Sequence, residues 1–227
     1  MATKKRLDAA LSVMLAQTDK IDEWFDAQYR RGSGDYETWG AKDLIAHSAE
    51  YTKRQALRLS GQEVESSHGS GDFNRVLFDR HADTTWSDAV ELLQNSIKSL
   101  VGEVAHRSES ELISDDGPSD SSKPVWRGIA FYGIVHNFTH IAMALVRSDS
   151  PEAAIRFQQV LTAPLLAIDA SDDWRATIEF NVGRALALAN DPSAIDHIKI
   201  AIATSPEAAR WVGGDPDLES IRMELER

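Results

Sequence analysis

Cysteine is absent from all 227 residues. That excludes disulfides, thiolate metal centres and any covalent mechanism using a thiol of the protein itself; a metal would have to be held by His, Asp or Glu. An excess of positive charge is missing too, since 24 Lys and Arg face 36 Asp and Glu, for a net charge of −12. The chain lacks the phosphate attraction on which nucleic-acid binding depends, and the negative balance is spread over both of its parts. No apolar run reaches membrane-spanning length without polar interruption. The opening MATKKRLDAAL has a basic cluster with no apolar stretch behind it, unlike a secretory signal. The expectation is a cytoplasmic protein with no nucleic-acid and no membrane partner.

What is present is apolar residues at helical spacing. Leu7, Leu11, Met14, Leu15, Ile21, Trp24 and Phe25 mark a first amphipathic helix within 3–30, broken by the glycines of RRGSGDYETWG. A second helix is expected over 41–60, stopped by Gly61. A short helical connector at 72–86 follows the small, polar segment 64–73. Thr85 or Ser87 can then cap a third long helix at 86–107, with Val90, Leu93, Ile97, Leu100, Val101 and Val104 on its apolar face. The acid- and serine-rich segment 108–124 reads as a flexible crossover loop. Phe131–Val146, FYGIVHNFTHIAMALV, reads as the fourth long helix. Residues 1–149 are thus expected to be all-α, a four-helix bundle with crossover loops, an architecture that builds metal sites between facing helices.

The fourth helix carries His136 and His140. Four residues are close to one helical turn, so the two imidazoles stand on one face about 40° apart round the axis. They can share a metal ion, and imidazole suits Zn, Ni, Cu or Fe. Two core histidines satisfying polar neighbours is the plainer reading, and no Glu follows the first His as a metalloprotease helix requires. A third ligand is needed, and His47 lies on the inward stripe of the second helix with Leu44 and Tyr51. Three ligands with open positions describe a catalytic type of site. Asp43, one turn before His47, either favours the helix N-terminus by its charge or orients the imidazole as a carboxylate behind it. Gly133 would let another helix or a ligand come close. His68, His81, His106 and His197 read as solvated.

The segments W-G-A-K-D-L-I-A-H at 39–47, D-F-N-R-V at 72–76 and F-Y-G-I-V-H-N-F-T-H at 131–140 resemble the DinB-like superfamily, in particular its ClbS/DfsB-type branch, over roughly residues 1–148. The resemblance implies a four-helix bundle, commonly a homodimer, with a divalent metal, Zn or Ni foremost, on three histidines. By motif position these are His47, His136 and His140. It also implies a range of activities: thiol transfer, thiol-dependent isomerisation, and hydrolytic inactivation of reactive metabolites.

Residues 150–227 extend past that resemblance. A helix, an Asn-Asp-Pro turn and a second helix occupy 172–211, and Ala194, Ile198, Ala201 and Pro206 follow tetratricopeptide spacing in part. SPEAA occurs at 150–154 and again at 205–209, each placing Pro in the first turn of a helix. So short a repeat cannot bury its own faces, and this TPR-like extension is expected to pack on the bundle or on a second copy.

The function these features suggest is a metal-dependent hydrolase or transferase acting on a small electrophilic molecule. With no cysteine, the nucleophile would be a metal-bound water or an external low-molecular-weight thiol. Tyr132 and Asn137 are candidate substrate contacts, with core packing the commoner role for both. Loops 61–72 and 108–124 would rim the entrance, and the acidity of the second favours neutral or cationic substrates. The rival reading is a non-catalytic protein that sequesters a small molecule or serves as a helical interaction module, its metal idle or structural.

Overall fold

The computed structural model describes residues 3–64, 70–115 and 124–225, with the side chains of 70–72 excepted. Every regular element among them is helical. The amphipathic start forms α1 (Thr3–Thr18), shorter than its apolar pattern, because the chain turns at Asp19 and Lys20 before the single turn α2 (Ile21–Trp24). Two 3₁₀ turns, Ala27–Tyr29 and Tyr36–Thr38, then lead to α3 (Ala41–Leu59). The connector is α4 (Ser70–Arg80), and α5 (Trp86–Ala105) starts on a capping box in which Thr85 and Asp88 bond each other's backbone N–H.

The front of the acidic crossover is not a loop. Glu109–Ile113 forms the short helix α6, whose Leu112 is fully buried. The carboxylate of Glu109 accepts from the backbone N–H groups of Thr3 at 2.7 Å and Lys4 at 2.9 Å, closing the open N-terminus of α1. An acid that composition assigns to solvent thus caps a helix 105 residues away. The rest of the crossover, 116–123, and His68 in the segment 65–69 lie outside the described residues.

Val125–Arg147 is one continuous rod: α7 (Val125–Ala130), a π turn (Phe131–Val135) and α8 (His136–Arg147). Among the described residues it is the one helix long and apolar enough to cross a membrane, and 67% of its most apolar stretch is buried inside the protein. α3 packs on α5 and α8, while α1 packs on α5, α7 and the π turn, so these helices surround a common interior.

The extension continues with α9 (Pro151–Leu166), α10 (Asp172–Leu188), α11 (Ala194–Thr204), α12 (Pro206–Gly214), a 3₁₀ segment (Pro216–Ile221) and α13 (Arg222–Leu225). Pro151 and Pro206 open their helices. Asn190 takes a left-handed φ of 56° in the Asn-Asp-Pro turn. α10 and α11 pack closely because Gly183 has no side chain: a Cβ there would stand 2.8 Å from Ile198 and 3.1 Å from the Ala194 carbonyl. Both contacting residues, like Ala201, are fully buried.

The boundary near residue 150 divides the resemblance but not the core. α9 lies against α8 and α1, α10 lies against α8, and one apolar cluster runs from Leu7 to Ile221. Trp126 meets Trp174 edge to face at 5.0 Å between ring centres, and Trp24 meets Phe157 at 5.8 Å.

Candidate metal centre

α3 and α8 run side by side, and that places His47 opposite His136 and His140. The ring centres are 5.1 Å apart for His47 and His136, 4.7 Å for His47 and His140, and 4.5 Å for His136 and His140. One nitrogen from each ring falls within 4.8 Å of the other two, close enough to hold one ion.

The π turn just ahead of His136 sets the register of this face. Widening the backbone by one residue frees a carbonyl, that of Tyr132, and Thr52 of α3 donates its hydroxyl to it at 2.8 Å. Asn137 completes the joint: its side-chain amide donates to Thr52 Oγ1 at 2.9 Å and to the Gly133 carbonyl at 2.8 Å. Asn137 is fully buried and ties α8 to α3 one residue from His136, the packing role that is the commoner of the two read for it. Gly133 sits where α5 crosses, and a Cβ there would come within 2.4 Å of Leu100.

Aromatic rings flank two of the three imidazoles, those of His47 and His136. Trp39 stands edge-on to His47 at 4.9 Å, and Tyr51 touches both His47 at 4.8 Å and His136 at 4.7 Å. Tyr132 lies parallel to Tyr51 at 5.9 Å and 6.1 Å from His136. Burial raises the pKa of Tyr51, whose phenol stays protonated and donates to Asn74 at 3.0 Å. Tyr51, one turn after His47, stands on the inward stripe that the helical spacing marks. Trp39 stands within the W-x3-D-x3-H motif.

This surround is poor in partners for the imidazoles. Nδ1 of His47, of His136 and of His140 are all buried with no hydrogen-bond partner among the described residues. Asp43 does not supply one. Its carboxylate accepts from the backbone N–H of Ser33 at 2.8 Å and of Gly40 at 2.9 Å and pairs with Lys42 at 3.0 Å. The orienting role considered for Asp43 therefore gives way to the commoner one at the helix start. Three unmatched buried nitrogens on facing rings are unusual, since each would cost roughly 1–3 kcal/mol unmet. They fit a divalent cation, for which three neutral imidazoles are a suitable donor set.

The histidines are also held neutral. Burial lowers the pKa of His47 from 6.5 to about 4, and it sets His136 and His140 well below their usual value, with the charges of neighbouring rings and of Arg184 adding to the effect. Neutral imidazole is the form that binds metal. In the metal-free chain the unfolded state takes up protons first as pH falls through 6.5, so native stability is full above that pH and declines towards about pH 4. His47 alone should contribute on the order of 3 kcal/mol to this decline. Urea unfolding of chelator-treated protein at pH 7.5 and pH 4.5 measures it, and His47→Gln should flatten the difference. An unchanged difference would show that His47 is not buried neutral.

Two other histidines read as solvated have acidic partners instead. His81 Nε2 lies 3.1 Å from Glu50 and its Nδ1 lies 3.1 Å from Thr84. Burial works against the Glu50 carboxylate, but the His81 hydrogen bond and the charges of Lys53 and Arg80 outweigh it and lower its pKa. His197 Nδ1 lies 2.7 Å from the buried Glu179. His106 is exposed at the end of α5, as expected.

Beside the centre, between the π turn and the extension, is a cavity of about 440 Å³. Tyr132 is shared by both: it lines the cavity and contacts His136. Asn181 of α10, another lining residue, accepts a long bond of 3.4 Å from Thr139, next to His140. No local pattern in the sequence connects these α10 residues to α8. A comparison with family models, curated proteins and solved structures finds no match to this chain.

Proposed function

We propose that the chain is a metal-dependent enzyme of the DinB-like type, which hydrolyses a small electrophilic molecule or conjugates it to an external thiol. One observation carries the reading: three neutral imidazoles converge, and among the described residues their Nδ1 atoms have no hydrogen-bond partner. The packing of α1, α3, α5 and the α7–α8 rod round one interior supports the bundle that the resemblance implies.

His47, His136 and His140 would hold the ion, with Zn or Ni suited to the donor set. Such an ion supplies a Lewis acid that lowers the pKa of a bound water or thiol. The residues of the chain do the rest. Thr52 and Asn137 lock α8 against α3 and so fix the spacing of the imidazoles. Trp39, Tyr51 and Tyr132 limit the access of water, which strengthens every electrostatic interaction inside. Tyr132, half-buried and lining the cavity, would touch a substrate in this reading. A homodimer belongs to the same reading, and sedimentation velocity measures it.

The reading is tested with a panel of epoxides, activated cyclopropanes and maleyl compounds, each with and without added thiol. Wild type should turn over at least one class, at a rate that rises with pH near neutrality for a zinc-activated water. His136→Ala should lose at least a hundredfold. Equal rates in the two proteins would leave the sequestering or interaction protein as the better reading.

A further inference from the structure

The cavity beside the histidines is built half from the rod and half from the extension. Phe131 and Tyr132 come from the π turn, while Trp174, Phe180 and Trp211 come from α10 and α12. Phe180 and Trp211 meet edge to face at 5.4 Å, which gives one wall two flat apolar surfaces. Two guanidinium groups also line it, and they differ. Arg184 is committed: Asp215 lies 3.2 Å from its Nε, and Asp217 holds Nε at 2.7 Å and Nη2 at 2.5 Å. Arg127 has no acidic partner among the described residues. Its guanidinium carbon lies 5.8 Å from the centre of the Trp126 ring, and its Nη2 is shut off from water with no hydrogen-bond partner among the described residues. A fixed charge with an unmet donor at the wall of an apolar cavity is well matched by an anion.

We propose that this cavity receives the substrate, and that it selects a small organic anion with a flat apolar body. The apolar part lies between the aromatic side chains of the π turn and those of α10 and α12, and a carboxylate or similar group pairs with Arg127. Tyr132 then stands between the bound molecule and His136. The assignment rests on the metal-dependent reading for its chemistry but not for its binding. It reverses the preference for neutral or cationic substrates drawn from the acidic crossover, most of which lies outside the described residues. It also gives the extension a role, since without α10 and α12 the cavity has no second wall.

The test is equilibrium binding of 1-naphthoate and of its neutral counterpart 1-naphthalenemethanol to the full chain. Tryptophan quenching and calorimetry are the readouts, with zinc removed by chelator and with zinc restored. Naphthoate should bind at least tenfold more tightly than the alcohol in both conditions. Arg127→Gln should erase that preference, Arg127→Lys should keep part of it, and Trp211→Ala should weaken both ligands by a similar factor. Equal binding of the two ligands to wild type, or a preference that survives Arg127→Gln in a protein of unchanged helicity, would overturn the proposal. The two readings fail separately. If naphthoate binds through Arg127 to a chain that takes up no zinc, the pocket stands and the metal reading falls. If zinc binds and the ligands are not distinguished, the reverse holds.

Discussion

Cutting the chain after Ser148 should leave a fragment that binds a hydrophobic dye and does not unfold cooperatively. The reason lies in what the extension covers. Phe157, Leu161 and Leu165 on α9 are at most 1% exposed, and Trp174 on α10 is 2% exposed. Their partners include Trp24 and Trp126 on the other side of the cut. Burying one such side chain is worth roughly 1.5–3 kcal/mol. Losing several at once is comparable to the whole stability of an ordinary domain, about 5–15 kcal/mol. The fragment would also lose the hydrogen bond from Arg6 to the Ile168 carbonyl and that from Thr139 to Asn181. Thermal unfolding by circular dichroism, with dye fluorescence beside it, compares 1–148 with the full chain. A fragment that melts as sharply and at the same temperature would make the extension an autonomous module.

The parts of this molecule legible in sequence are those set by local periodicity. His136 and His140 are four apart on an apolar helix, and His47 sits on the inward stripe of α3, so their convergence needs only that α3 and α8 be neighbours. Thr85 and Pro206 mark helix starts by chemistry that acts over three residues. What eluded the sequence depends on partners far along the chain. Glu109 caps α1 across more than a hundred residues, and His81 meets Glu50 from 31 residues away. Each looks like a surface residue until the fold brings its partner. The π turn leaves no trace in a periodicity argument, because one widened turn shifts the stripe by less than the tolerance of the pattern. Asn137 was open to either role because a buried amide and a substrate-binding amide have the same neighbours in sequence.

About one divalent ion per chain should bind wild type, and essentially none should bind His140→Ala. The three donors contribute one nitrogen each, and removing any one leaves two, too few for the closed side of a tetrahedral site. Zinc at 100 times its dissociation constant should stabilise the native state by about 2.7 kcal/mol. For a chain of this size that raises the melting temperature by roughly 5–10 °C. His140→Ala should show no such rise while keeping its helix content, since α8 is held by Phe138, Ile141, Ala144 and Leu145 in the apolar core. In the metal-free state the same substitution removes an unmatched buried nitrogen and the burden of keeping a ring neutral. The variant should therefore lose less stability at pH 5 than at pH 7.5 relative to metal-free wild type. Elemental analysis of the purified chain, with melting curves with and without zinc, measures all of this. Stoichiometric metal in a variant lacking all three histidines would refute the site, because the ion would then be held by other residues.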